Sequence, residues 1–326
     1  MITSAVMLIG GLLLLIKGAD YLVEGASSIA MRFGISGLVI GLTVVAFGTS
    51  APELVVNLIA AFTGNTDLAL GNVNGSNIAN ILLILGITSL LTTIPVKSRT
   101  VIKEIPFMIL SGAMLIILML DAPLEGGVSG LSRIDGLVLL GFFSIFMYYL
   151  VLSTRGTKGG ATVEKTHLKL VTALLMTAGG LFALVFGGKL TVDGATAIAL
   201  SMGISEGLIA ATVVAVGTSL PELVTSIVAA RKGKTDVAVG GIVGSNIFNI
   251  MMILGLTATI SPNFMAVTSQ GIWDATMALG AMIVLLVALF AGGKQTEDSD
   301  LTLSKKEGLV FVALYLVYLV FIVIRG

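Results

Sequence analysis

Apolar residues run in long blocks along this chain. The stretches 4–16 (extending to about 31), 105–120, 136–152, 170–188, 275–291 and 308–324 are nearly continuous. Four more, about 36–62, 69–94, 205–230 and 237–260, are as long but carry Gly, Ser, Thr, Asn and Glu inside them. A bilayer core about 30 Å thick is crossed by roughly 20 helical residues. The pattern therefore predicts ten spans, five on each side of a polar segment at 153–169. The runs are too long for barrel strands and lack their period of two. The first block is expected to be a retained span. It has no basic start, and Lys17, Asp20 and Glu24 stand where a cleavage site would need small residues.

Composition narrows the class further. Charged residues make up 11% of the 326 residues, against roughly a quarter in soluble domains, and hydrophobic residues 56%. That is too few charges to coat a soluble globule and too much apolar surface for disorder. The 18 basic residues balance 18 acidic ones, so no net basic field exists to hold nucleic acid. There is no cysteine, and the one histidine, His167, lies in the polar linker. Thiolate and His-rich metal sites are thereby excluded.

Charge in the loops sets an expected orientation. With the N-terminus outside, the inside segments collect Arg32, Lys97, Arg99, Lys103, Arg155, Lys158, Lys165, Lys169, Arg231, Lys232, Lys234, Lys294, Lys305 and Lys306. The outside segments carry only Arg133 and Arg325. The positive-inside rule then places both termini outside a plasma membrane.

The two halves repeat one another. Residues 34–60, GISGLVIGLTVVAFGTSAPELVVNLIA, align without a gap to 203–229, GISEGLIAATVVAVGTSLPELVTSIVA, at an offset of 169. The offset also carries Gly71 to Gly240, Gly75-Ser76-Asn77-Ile78 to Gly244-Ser245-Asn246-Ile247, and Asn80 to Asn249. Five spans is an odd number, so the second copy must enter the membrane upside down. The expected fold is an all-α polytopic membrane protein of two inverted five-helix repeats. Residues 1–152 form the first, 153–169 a cytoplasmic linker and 170–326 the second. Secondary transporters use this plan, with the substrate bound near the midplane between the repeats.

Two motifs carry the candidate chemistry. Gly48-Thr49-Ser50-Ala51-Pro52-Glu53 recurs as Gly217-Thr218-Ser219-Leu220-Pro221-Glu222, each near the middle of a span. A carboxylate at that depth costs several kcal/mol unless it faces a polar cavity or a partner. Each proline removes a helical hydrogen bond and should open the turn before the glutamate, baring carbonyls. Glu53 and Glu222, the hydroxyls of Thr49, Ser50, Thr218 and Ser219, and freed carbonyls would make an all-oxygen cage suited to Ca²⁺. A plain kink with a neutral or salt-bridged glutamate is the bland alternative, and recurrence of the whole set weighs against it. In the second motif, Ser76 and Asn80, and likewise Ser245 and Asn249, lie four apart on one helix face and can ligate from it. Interhelical glue is the competing reading for them. Asn77 and Asn246 point elsewhere and read as structural. Asn72 and Asn74 face Gly241 and Val243 under the offset and are left out. Glu24 and Asp193 snorkel or line an entrance, and Lys17 is expected to pair with Asp20.

GTSxPE in two copies, each followed by GSNIxNI, resembles the sodium/calcium exchanger family of the cation/Ca²⁺ exchanger superfamily, most specifically over 41–86 and 210–255. The resemblance implies ten helices around four central ion positions. It implies Ca²⁺ ligation by Glu53 and Glu222 with the carbonyls of Thr49 and Thr218. It matches Ser50, Ser76, Ser219 and Ser245, with the carbonyls of Ala46 and Ala215, to flanking Na⁺ positions, and Asn80 and Asn249 to the middle one. Some prokaryotic relatives carry Asp where this chain has Asn249, so the cage here holds two formal charges rather than three. Ca²⁺ and Na⁺ are then transported substrates and no resident cofactor is implied. The expected activity is Ca²⁺/Na⁺ antiport by alternating access. Protons could replace Na⁺, since two facing glutamates could carry them. An intramembrane carboxylate hydrolase and a cation channel are further alternatives. The sequence leaves the oligomeric state open.

Overall fold

The computed structural model describes residues 2–120, 126, 128–155, 168–203, 217–292 and 300–325. Its helices are α1 (Ile2–Phe33), α2 (Gly37–Thr49), α3 (Ala51–Thr63), α4 (Thr66–Leu91), α5 (Thr100–Met119), α6 (Arg133–Arg155), α7 (Leu170–Ser201), α8 (Leu220–Arg231), α9 (Thr235–Ile260), α10 (Ser269–Gly292) and α11 (Lys305–Arg325). Among the described residues eight helices are long and apolar enough to span a membrane, nine when the bent pair α2–α3 counts as one. The protein is an integral, multi-pass membrane protein built mainly of helices. Of the expected stretch 205–230, residues 205–216 lie outside the described residues and the rest contains α8.

Burial sorts the helices. Every residue in the most apolar window of α9 is buried, and most of α4, whereas α1, α6, α7 and α11 expose large apolar side chains such as Ile9, Tyr148, Phe182 and Val317. The two motif-bearing helices are therefore wrapped by protein, and the outer ones present their greasy faces to lipid.

The offset of 169 reappears in the backbone. Gly34 and Gly203 take positive φ of 65° and 80°, and Gly64 and Gly233 take 68° and 71°, so the same turns end the same helices. These left-handed conformations are open to glycine without a Cβ penalty. π-helical turns, in which hydrogen bonds skip five residues, occupy Ala79–Leu85 in α4 and the matching Phe248–Leu254 in α9. Such turns mostly mark functional sites, and Asn80 and Asn249 each stand at the second position of one.

A seam joins α1 to α7. Gly11, Gly18 and Gly25 recur every seven residues on α1, and Gly180, Gly187 and Gly194 are their counterparts on α7. A Cβ on Gly18 would lie 2.9 Å from the Gly180 carbonyl oxygen, and one on Gly25 only 2.7 Å from that of Ala173. The helices run antiparallel in backbone contact, the close approach that small residues permit in membranes. Main-chain atoms share this contact with the Thr177 and Thr191 hydroxyls and with the buried Leu15, Leu22 and Leu184.

Four short strands were not foreseen. β1 (Ile94–Val96) pairs antiparallel with β4 (Leu301–Leu303), and β2 (Gly130–Leu131) with β3 (Met265–Ala266). They tie loops of one half to loops of the other, at opposite ends of the molecule. The β1–β4 end also holds the pair Lys97–Asp236, and Lys232 bridging Asp20 at 2.6 Å and Glu24 at 3.4 Å. Asp20 thus pairs with Lys232 rather than with Lys17. The β2–β3 end holds Thr268 donating to Asp67 at 3.3 Å and Arg133 to the Ser261 carbonyl. Asp67 begins α4 and Asp236 begins α9, so these two central helices run in opposite directions.

Candidate functional site

The glutamates enter the centre from broken helices. Pro52 and Pro221 sit in the first turn of α3 and α8, where a missing N–H is tolerated. Ser50 and Ser219, just before, leave helical geometry with φ,ψ of −83°, 10° and −87°, 3°. The axis bends by 49° between α2 and α3. The carbonyls of Gly48 and Gly217, four residues before each proline, lose their helical partner, as the sequence pattern predicts. Glu53 and Glu222 lie in the first turns of α3 and α8, where the helix dipole favours negative charge.

Both carboxylates are buried, 1% and 3% exposed. The Ser76 hydroxyl donates to Glu53 Oε1 at 3.1 Å, and the Ser50 hydroxyl to Glu222 Oε1 at 3.2 Å. Thr218 stands beside Glu53, and Thr49 beside Glu222. The Thr49 hydroxyl donates to the Val45 carbonyl at 3.0 Å. The Ala46 carbonyl accepts from the Ser50 N–H at 3.0 Å and from the Ser245 hydroxyl at 3.5 Å. Ala215 lies outside the described residues. Asn80 and Asn249 are buried on α4 and α9. The structure therefore gathers Thr49, Ser50, Glu53, Ser76, Asn80, Ser219, Glu222, Ser245 and Asn249 in the buried interior, with Thr218 partly exposed beside Glu53.

Unused hydrogen-bonding capacity marks what this centre can do. Glu53 Oε2, Glu222 Oε2, Asn80 Oδ1, Asn249 Oδ1 and Ser219 Oγ are buried without a protein partner. Four of these five form two pairs under the offset of 169, and Asn57 Nδ2, Asn77 Nδ2 and both amide atoms of Asn74 are also buried without a protein partner. Buried acceptors normally find partners, because leaving one unmet costs about 1–3 kcal/mol. Buried oxygens beside two carboxylates are the kind of ligand a hard cation takes.

Asn72 belongs to this neighbourhood although the offset argument set it aside. Its Nδ2 donates to the Glu53 carbonyl at 3.2 Å and to Asn57 Oδ1 at 2.8 Å, bracing the first turn of α3. The signal was present in the spacing, since Asn72, Ser76 and Asn80 lie four apart on one face of α4. Gly240 and Gly244 also have a clear role. A Cβ on Gly244 would lie 2.8 Å from Ala46 Cβ, so α9 presses directly on α2.

Two cavities approach from the ends. One of about 330 Å³ is lined by Pro52, Thr218, Pro221 and the ion pair Lys189–Asp193. The other, about 960 Å³, lies at the β1–β4 end and is lined by Glu24, Ser27, Lys97, Lys232 and Asp236. Glu24 and Asp193 correspond under the offset, and each stands at one cavity.

The family model of the sodium/calcium exchanger protein matches residues 3–152 and 172–324. The chain belongs to the sodium/calcium exchanger family. A putative antiporter CaxA from Alkalimonas amylolytica is 38% identical over 299 residues, covering 90% of this chain and 92% of that one. The sodium/calcium exchanger MaX1 of Methanosarcina acetivorans is 31% identical, covering 96% and 97%. The solved sodium-calcium exchanger NCX_Mj, soaked with 10 mM Na⁺ and 10 mM Sr²⁺, superposes with a TM-score of 0.80 at 31% identity over 97% of both chains. Members of this exchanger family are membrane transporters, and membership makes this chain a cation/Ca²⁺ antiporter.

Proposed function

We propose that this exchanger carries Ca²⁺ against Na⁺ by alternating access, through one central site built from Glu53 and Glu222 with Thr49, Ser50, Ser76, Asn80, Thr218, Ser219, Ser245 and Asn249, and the carbonyls of Ala46 and Ala215. We place the site between two inverted five-helix repeats in a ten-helix fold, both termini outside the plasma membrane. The observation that supports the site is the set of partnerless oxygens on Glu53, Glu222, Asn80 and Asn249, matched two by two under the offset. Two carboxylates neutralise one Ca²⁺, and the hydroxyl and amide oxygens complete a shell of the size Ca²⁺ takes. Bound Ca²⁺ or a set of Na⁺ would satisfy the same atoms. An empty cage would leave two carboxylates in mutual repulsion, and that penalty against reorienting empty is what couples the two flows.

The test is ⁴⁵Ca²⁺ uptake into proteoliposomes under an imposed Na⁺ gradient and, separately, under a pH gradient. Uptake driven by Na⁺ and lost in Glu53→Gln and Glu222→Gln is expected. Uptake driven by the pH gradient alone would assign protons as the counter-ion instead. Na⁺-driven uptake undiminished in both glutamine variants would refute the site.

A further inference from the structure

An amide side chain ligates a cation only one way round. Its oxygen attracts the ion and its NH₂ repels it, yet the two ends are almost the same size. A half-turn about the Cβ–Cγ bond exchanges them. Something must hold an ion-site asparagine in the oxygen-forward state.

The structure supplies such a hold at both positions, and in each case from the opposite half of the chain. Asn80 Nδ2 on α4 donates to Asn246 Oδ1 on α9 at 2.9 Å. Asn249 Nδ2 on α9 donates to Asn77 Oδ1 on α4 at 3.0 Å. These bonds are images of one another under the offset. Each fixes the nitrogen of a site asparagine, and in both cases the oxygen is the atom left without a partner. All four side chains are at most 1% exposed, so water does not compete for these groups. Asn246 is itself oriented: its Nδ2 faces Met108 Sδ on α5 at 3.4 Å, which turns its oxygen toward Asn80.

We infer that Asn77 and Asn246 are positioning residues, each setting across the repeat which atom of Asn249 and Asn80 faces the transported ions. The sequence pattern alone reads them as structural, because they lie off the ligand face of their own helix. Their action is on the ligand of the other helix. The inference rests on the reading of Asn80 and Asn249 as ligands.

The test is a mutant cycle on the full chain in proteoliposomes, reading KM for Ca²⁺ and kcat separately. Asn77→Leu keeps the volume and removes the acceptor. It is expected to raise KM roughly three- to tenfold, the scale of one lost buried hydrogen bond, with a smaller change in kcat. Asn77→Asp keeps an acceptor for Asn249 Nδ2 and should not raise KM. In an Asn249→Ala background the Asn77→Leu change should do nothing more to KM, because the group it positions is gone. Additive effects in the double variant, or equal damage from Asn77→Asp and Asn77→Leu, would overturn the inference. An Asn249→Ala KM equal to that of the parent would overturn it too. Where Asn77→Leu does not yield a monodisperse protein, Asn246→Leu with Asn80→Ala runs the same cycle on the other pair with the same criteria. Glu53→Gln, run beside them, reports on the site itself. Its failure to abolish uptake refutes the site, whereas a flat Asn77 result with uptake lost in Glu53→Gln refutes only the positioning role.

Discussion

Neighbouring glycines offer an internally controlled experiment on the α1–α7 seam. Gly10 and Gly11 are adjacent on α1, and Gly179 and Gly180 are their counterparts on α7. A Cβ on Gly10 or Gly179 meets nothing within 4 Å among the described residues. A Cβ on Gly11 would lie 2.6 Å from the Thr191 nitrogen and 2.7 Å from the Gly187 carbonyl oxygen. A Cβ on Gly180 would lie 2.6 Å from the Leu22 nitrogen and 2.7 Å from the Gly18 oxygen. Replacing a mid-helix glycine by alanine stabilises by about 0.5–1 kcal/mol through backbone entropy, and all four sites receive that gain. Only Gly11 and Gly180 pay for overpacking, typically about 1–3 kcal/mol, and here against main-chain atoms that cannot rotate away. Gly11→Ala should therefore fall below Gly10→Ala by about 1–3 kcal/mol, and Gly180→Ala below Gly179→Ala by as much. At roughly 2–4 °C per kcal/mol for a large domain, the melting temperatures should separate by about 2–12 °C. The assay is the loss of the monodisperse size-exclusion peak after heating in one detergent. Gly11→Ala melting at or above Gly10→Ala would refute the idea that backbone contact holds the two helices together.

Asn72→Leu removes the brace on the first turn of α3 and should weaken Ca²⁺ uptake severalfold, measured as a KM increase, without abolishing it. Lys232→Met removes partly exposed ion pairs to Asp20 and Glu24, worth about 0.2–1 kcal/mol each. Its melting temperature should drop by no more than a few degrees, and a larger fall would show a stronger role. Because the chain has no cysteine, Pro95→Cys with Thr302→Cys tests the β1–β4 pairing directly. Their Cα atoms are register partners, within the span a disulfide bridges, and oxidation should cross-link them in the full chain. Labelling with an impermeant maleimide should reach Val128→Cys from outside intact cells and Lys97→Cys only after lysis, and the reverse result would invert the proposed orientation.

Much of this molecule is legible in one dimension. Long apolar blocks without a period of two mark helices, because only a helix satisfies its backbone groups within one segment in lipid. The glutamate and proline motifs stand out because they break those blocks at depth, and their recurrence points to one shared site. Three things were not legible, each for a physical reason. The strands are too short for any alternating pattern, and each exists because a loop from the other half lies beside it. Asn77 and Asn246 carry no local signature, since their partners are 172 and 166 residues away. The glycine seam was in plain view as a seven-residue spacing, but glycine is common enough in membrane helices for the spacing to pass as background. Asn72 makes a contact that only one half makes, since Gly241 at the matching position has no side chain, so the repeat carries no sign of it.

The two strand pairs bear on how such a chain could be divided. Each pair takes one edge from the first 152 residues and one from the second half. Neither half, made alone, could close its own edges, and open strand edges invite pairing with strangers. A gene split within the linker should thus give two fragments that are aggregation-prone apart and recover flux when made together. The strands act as four half-clasps, two from each half, through which separate fragments would find one another.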